Sequence, residues 1–278
     1  MDFKRVTIQD IDKIKPYILG KDFQSSSFTL GVLFLWADDY KLSYYEEDET
    51  IIFRGYSARK NLYYSYPLGK NPWKLLNQLP KPYTLLYVPE HRLSEFPDAK
   101  ITRSETDFDY VYRFEDLYEL KGKSKAAYRN HINRFLKDHP ENHYEILSQK
   151  NIPDVIKILN AQTFQNPGRA DDIKHNYAAL CLYDKLPFTG GILYSNGSPA
   201  AFSIGEVIGD MLYVEFEKRV DGVDGAPDYN RVKFLSLFAD KGVRYVNREE
   251  DCGDLGLRTS KMRMGPDHFI YKYRVDVH

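Results

Sequence analysis

A short echo inside the chain limits its architecture more than any other feature. "TIQDIDKI" at 7–14 and "NIPDVIKI" at 151–158 share Ile, Asp, Lys and Ile at matching places, 144 residues apart in a chain of 278. An offset near half the chain is what one domain present twice would give. Both copies open as capped helices. Thr7 precedes Ile8, Ile11, Ile14 and Ile18, and Asp10 completes a capping box. Pro153 sits in the first helical turn, where no hydrogen bond is lost.

Each half then follows one pattern. In the first, "SSSFTLGVLFLWADDY" reads as a helix and "YKLSYYEEDETIIFRGY" as a hairpin around an acidic turn. The strand "NLYYSYPLG", a helix from Pro72, and the strands "YTLLYVP" and "DYVYRFEDL" follow. In the second, helices at 152–165 and in "DDIKHNYAALCLYDKL" lead to three strands with turns at Asn196-Gly197 and Gly209-Asp210. The helix "DYNRVKFLSLFADKG" and strands at "RYVN" and "HFIYKYRVDV" finish it. Helix, helix, antiparallel strands, helix, strand is an α+β layout with mixed, mostly antiparallel sheets flanked by helices. The expected boundaries are 1–120 and 145–278, with a basic bridging helix over 121–144.

Composition removes several functions. A net charge of −1 gives no global field for nucleic acid, so any anion site must be local. Two cysteines, Cys181 and Cys252, make neither a disulfide framework nor a metal set, and the histidines lie without ligand spacing. No metal is expected. The N-terminus has no signal-peptide core, and the longest apolar stretch, 28–37, is too short for a bilayer. The expectation is a cytoplasmic protein with no transmembrane segment. There is no P-loop, Rossmann fingerprint, HExxH or G-x-S-x-G.

Three stretches could carry chemistry. In "LKGKSKAAYRNHINRF", Lys125, Arg129 and Asn133 recur every four residues, with Lys121 just before. They could cradle an anion or form a solvated helix face; His131 lies next to them, and Tyr128, Ile132, Phe135 and Leu136 form the apolar stripe. In "LYVEFEKRV", alternation puts Tyr213, Glu215 and Glu217 on one strand face, opposite Val214 and Phe216. The two carboxylates would stand about 7 Å apart, offering a general base or simply an outer face. In "NREEDCGDLGLRTSKMRMGP", Asn247, Glu249 and Asp251 precede Arg258 and Lys261 across Gly253 and Gly256. A turn there would set Glu249 or Asp251 against Arg258 or Lys261; the alternative is a charge-neutralising loop.

The first and third stretches together resemble the C-terminal domain of phosphatidylglycerol lysyltransferases. The resemblance implies two tandem GNAT-type acyltransferase domains, an arrangement shared with Fem peptidyltransferases, which take amino acids from aminoacyl-tRNA. It further implies aminoacyl or acyl transfer from an activated anionic donor to an amine or hydroxyl. Glu215 or Glu217 would take the proton, cations among Lys125, Arg129, Arg258 and Lys261 would hold donor phosphate, and 247–263 would wall the cleft. The lipid-modifying members carry a membrane domain, which is not expected here. Acetyl-CoA-using GNAT domains carry a Q/R-x-x-G-x-G/A loop, and the corresponding "KRVDGVDGAPDYNRVKF" has Arg219 and Gly222 but Asp224 where glycine belongs. A CoA-dependent N-acyltransferase and a non-catalytic GNAT-like binding module stand as alternatives.

Overall fold

The computed structural model describes residues 1–165 and 170–278. Its strands are β1 (Lys4–Arg5), β2 (Ser43–Glu47), β3 (Thr50–Tyr56), β4 (Leu62–Ser65), β5 (Leu68–Gly69), β6 (Tyr83–Val88), β7 (Lys100–Arg103) and β8 (Asp109–Arg113). They continue as β9 (His143–Ile146), β10 (Thr189–Ser195), β11 (Ser198–Ile208), β12 (Met211–Arg219), β13 (Tyr245–Asn247), β14 (His268–Ile270) and β15 (Tyr273–Val277). The helices are α1 (Ile11–Leu19), α2 (Leu30–Leu35), α3 (Pro72–Leu76), α4 (Phe114–Tyr118), α5 (Ala126–Asp138), α6 (Ile152–Gln165), α7 (Ala170–Cys181), α8 (Ala226–Ser236) and α9 (Leu255–Arg263).

Local chemistry explains many boundaries. The Asp10 carboxylate accepts from the Thr7 backbone N–H at 2.9 Å, and Ile14 and Ile18 of α1 are fully buried. Thr29 caps α2 by accepting from the Val32 amide at 3.0 Å. Asn196 and Gly197 both take positive φ between β10 and β11, the two-residue hairpin their sequence calls for.

The chain forms two compact units, each with its own sheet. Unit 1 holds Met1–Tyr110, Glu249–Arg263 and His268–His278. Its strand order is β1-β2-β3-β4-β6-β15-β7, with β5 beside β3. Ile52, Leu75, Leu85 and Val275 lie at its core, each fully buried. Unit 2 holds Val111–Arg248 and Met264–Asp267. Its sheet runs β8-β13-β12-β11-β10-β9, with Phe135, Leu193 and Ala226 packed together. Each such side chain larger than alanine contributes about 1.5–3 kcal/mol by leaving water.

The two sheets share one plan. Antiparallel strands lead to a strand, a helix and a parallel strand: β4–α3–β6 in unit 1 and β12–α8–β13 in unit 2. The fold is thus α+β with two mixed sheets flanked by helices, as the sequence pattern implies. The division of the chain is another matter. The neighbour of β6 is β15, from the end of the chain, and the neighbour of β13 is β8, from before the midpoint. Residues 249–263 and 268–278 therefore group with unit 1, although the sequence pattern assigns everything after 145 to the second half. A pattern of polar and apolar residues specifies a strand but not which sheet completes its ladder.

Candidate functional site

The basic stretch is built into unit 2 rather than spread over it. Gly122, with φ +87°, turns the chain into α5. The Lys125 side chain runs inward: the residue is 8% exposed and its ammonium donates to the Met264 carbonyl. Burial lowers its pKa below the ordinary lysine value; Arg231 adds to the shift and Asp116 opposes it. Arg129 donates to the carbonyls of Leu120 and Gly122, closing the turn before the helix. Lys121 pairs with Glu119 in solvent, and Asn133 is exposed. These four residues do not converge, because backbone carbonyls take up two of the cations. Leu136, expected on the apolar stripe, is exposed as well.

On β12 a bulge overturns the expected shared face. Ile204 pairs with Phe216 but Gly205 pairs with Val214, so Glu215 is an extra residue on its strand. One inserted residue reverses the alternation beyond it. Tyr213 shares its face with Phe216, while Glu217 shares the opposite face with Val214.

That second face carries a chain of charges. Glu217 accepts from Arg248 Nη2 at 2.5 Å and lies 3.7 Å from Arg231 Nε. Arg231 also pairs with Asp228 at 3.1 Å, and Asp228 with His131 Nδ1 at 2.9 Å. Burial is the largest influence on Arg248 and opposes its charge, yet its pKa stays raised, because Glu217, Tyr112 and Asp228 together outweigh the burial. A cavity of about 10 Å³ beside Glu217, Ser203 and Val214 has room for one water.

The first face carries a buried polar row. Register places Glu206, Tyr213 and Asn247 side by side across β11, β12 and β13, and they are 1%, 0% and 0% exposed. Glu215, at the bulge, is 7% exposed. Packing alone would fill a sheet centre with apolar side chains, since a buried polar group costs about 1–3 kcal/mol unless paired.

In unit 1 the sign-changing segment is a folded turn. Glu249, Cys252 and Gly253 take positive φ, and the chain then enters α9. Asp251, fully buried, accepts from Arg258 Nε at 2.7 Å, Arg258 Nη2 at 3.1 Å, the Tyr110 hydroxyl at 2.5 Å and the Gly253 amide at 2.8 Å. Arg258 foremost holds its pKa down at about 2. Lys261 donates to the Glu249 and Glu250 carbonyls at 3.2 and 2.6 Å. The Glu249 carboxyl is pushed well above the usual range by burial, with Glu250 and Asp109 adding repulsion. Beside it the Lys272 ammonium donates to Ser26 Oγ and Glu250 at 3.0 Å and lies 2.8 Å from Asp109.

Sequence reasoning missed Asp109, Lys272, Glu206, Arg231 and Arg248. One carried a clear signal: Glu206 in "AAFSIGEVIG" is a lone charge inside an otherwise uncharged, mostly apolar strand, whereas Asp109 in "FDYVYRF" and Lys272 in "YKYRV" each stand near a second charge, Arg113 or Arg274. Such charges are placed only where partners await them.

The first turn of α8 is a poor match to the pyrophosphate of coenzyme A. A Cβ on Gly225 would lie 2.3 Å from the His131 carbonyl and 2.9 Å from Phe135 Cβ, so α5 packs directly against this glycine, while Gly222 in the same turn stands in open space. Pro227 has no amide to donate, and Asp228 puts a negative charge in the first turn of α8. Among the described residues no group of three or more His, Cys, Asp or Glu could hold a metal ion, and no helix is long and apolar enough to cross a membrane.

Comparison with known proteins follows the same lines. Residues 21–276 match the family described as phosphatidylglycerol lysyltransferase, C-terminal. A crystal structure of a protein of unknown function from Bacteroides thetaiotaomicron superposes with a TM-score of 0.93 at 26% identity, covering 100% of both chains. The C-terminal domain assigned to a lysylphosphatidylglycerol synthetase from Agrobacterium fabrum gives 0.68 at 13% identity, over 97% of this chain and 92% of that one. FemX gives 0.63 at 7% identity, over 99% and 97%. No curated protein matches the sequence.

Proposed function

Because the chain belongs to the phosphatidylglycerol lysyltransferase C-terminal family, we propose that it transfers an aminoacyl or acyl group from an activated ester, aminoacyl-tRNA being the donor, to an amine or hydroxyl. The observation that carries this reading is the buried polar row Glu206–Tyr213–Asn247, with Glu215 at the adjoining bulge. An acceptor amine attacks the ester carbonyl, the carbon–oxygen bond to the donor breaks, and Glu215 takes the amine proton for delivery to the departing hydroxyl. Tyr213 and Asn247 orient the reacting groups. Glu217 serves as the anchor that fixes Arg248 and Arg231, which suits a carboxylate already held by two cations. Positioning in a water-poor site supplies much of the acceleration. Such a donor is cytoplasmic. Pro227, which has no amide to donate, and Asp228 in the first turn of α8 argue against coenzyme A as the donor carrier.

Binding separates the donors. Aminoacyl-tRNA at 100 times its dissociation constant should stabilise the protein by about 2.7 kcal/mol, and acetyl-CoA should leave the melting temperature unchanged. Stabilisation by acetyl-CoA alone would overturn the reading. For the chemistry, Glu215→Gln should lower single-turnover transfer by about 10²–10⁴-fold without weakening donor binding.

A further inference from the structure

We infer that the open edge of β9 pairs with β9 of a second copy of this chain, antiparallel across a two-fold axis at Tyr144. The inference is independent of the transfer reading. β9 ends its sheet: among the described residues its one strand neighbour is β10. His143, Glu145 and Ile146 are exposed, Ile146 at 64%. An edge strand offers its N–H and C=O groups to another chain unless something blocks it. Lysine, proline and bulges are common blocks, and "HYEI" has none of them. Its one carboxylate, Glu145, is a block only if nothing meets it.

The phase of the ladder says which groups are on offer. The Leu147 N–H donates to the Gly190 carbonyl at 2.9 Å. In an antiparallel ladder the N–H and C=O of one residue point the same way, and the direction alternates along the strand. Glu145 and His143 therefore face β10, while Tyr144 and Ile146 face the open edge. The Ile146 carbonyl already accepts from Asn151 Nδ2 at 3.1 Å. Tyr144 presents both its groups outward.

One register suits this edge. With the axis at Tyr144, each Tyr144 exchanges a pair of N–H···O bonds with the partner's Tyr144, and each Ile146 N–H meets the partner's Asn142 carbonyl. The same axis sets His143 opposite the partner's Glu145, twice, an imidazole N–H against a carboxylate. Both side chains are placed in advance. His143 lies flat on Tyr194, with ring centres 4.5 Å apart, and Glu145 accepts from Asn151 Nδ2 at 3.0 Å. Ile146 comes within reach of the partner's Tyr144 ring on the diagonal. An axis at Glu145 would oppose two carboxylates and use N–H groups that point at β10. An axis at Ile146 would need the carbonyl that Asn151 holds. Strands of four residues make a contact smaller than the about 1,200 Å² of lasting complexes, so the dimer is reversible and forms at high concentration.

The test uses the full chain. Sedimentation velocity from about 5 to about 500 µM should show a monomer passing into a dimer and nothing larger, because a two-fold contact closes on itself. Hydrogen exchange at the Tyr144 and Ile146 amides should slow over the same range. Glu145→Lys sets a cation against the imidazole and should weaken the dimer about tenfold, the worth of one good contact, while Glu145→Lys with His143→Glu should restore it. Ile146→Lys should weaken it by a similar factor. These side chains are exposed, so at the lowest concentration each variant should melt with the parent. A chain still monomeric at the highest concentration, a dimer whose Tyr144 amide exchanges as it does in the monomer, or equal association in Glu145→Lys would each overturn the inference.

Discussion

Asp251 shows what a single residue can reveal. It is fully buried, yet it is the carboxylate most fully supplied with donors in its turn. Its folded pKa, about 2 against an ordinary 3.8, is depressed, so its stabilisation is present above the unfolded value and lost as pH falls through about 2. Near-complete ionisation is worth about 2 kcal/mol. Urea midpoints measured from pH 6 down to pH 2 should fall in the parent, while Asp251→Asn starts lower and changes less. The double-mutant cycle with Arg258→Gln should show coupling of about 1–2 kcal/mol; strict additivity would reduce the turn to a charged loop. Lys272 is the stronger case. Lys272→Met leaves the fully buried Asp109 carboxylate without that cation, with the Ser26 amide and hydroxyl still donating to it, and should cost about 3–5 kcal/mol, read from denaturant unfolding.

At the scale of elements, α5 and α8 constrain each other through Gly225. Its φ of +79° and the His131 carbonyl leave no room for a side chain. Gly225→Ala should cost about 3 kcal/mol or more, because strain and a backbone clash add. Gly222→Ala, in the same turn at φ +83° with open space around it, should cost only about 1–2 kcal/mol. Similar melting temperatures for the two variants would mean that the helices do not press on this junction. The same element corrects the account of Lys125: truncating it removes buried packing and leaves the Met264 carbonyl without its donor, so its cost exceeds that of an exposed lysine.

For the whole molecule, the assignment of β15 matters most. It pairs with both β6 and β7, so the sheet of unit 1 lacks an interior strand until the chain is complete. A chain ending at Tyr271 should lose the cooperative transition of unit 1, and residues 1–110 alone should give poorly dispersed amide spectra. A fragment 1–110 that melts as a sharp two-state unit would refute this.

The sequence by itself determined what is local. Capping at Thr7, the turn at Asn196-Gly197, the strand–helix order in each half and the doubling of the plan all follow from interactions within a few residues. The sign change after Asn247 also announced a closed turn, since opposed charges seven residues apart gain by meeting. Only the tertiary structure decided the rest. The bulge at Glu215 depends on the ladder offered by β11, and it moved Glu217 to the face opposite Tyr213. The place of β15 depends on which open edge gains a partner. The burial of Lys125 and the closed approach to Gly225 depend on where α5 comes to lie. A sequence pattern fixes which side chains avoid water, but not which partner, far along the chain, supplies the surface that covers them.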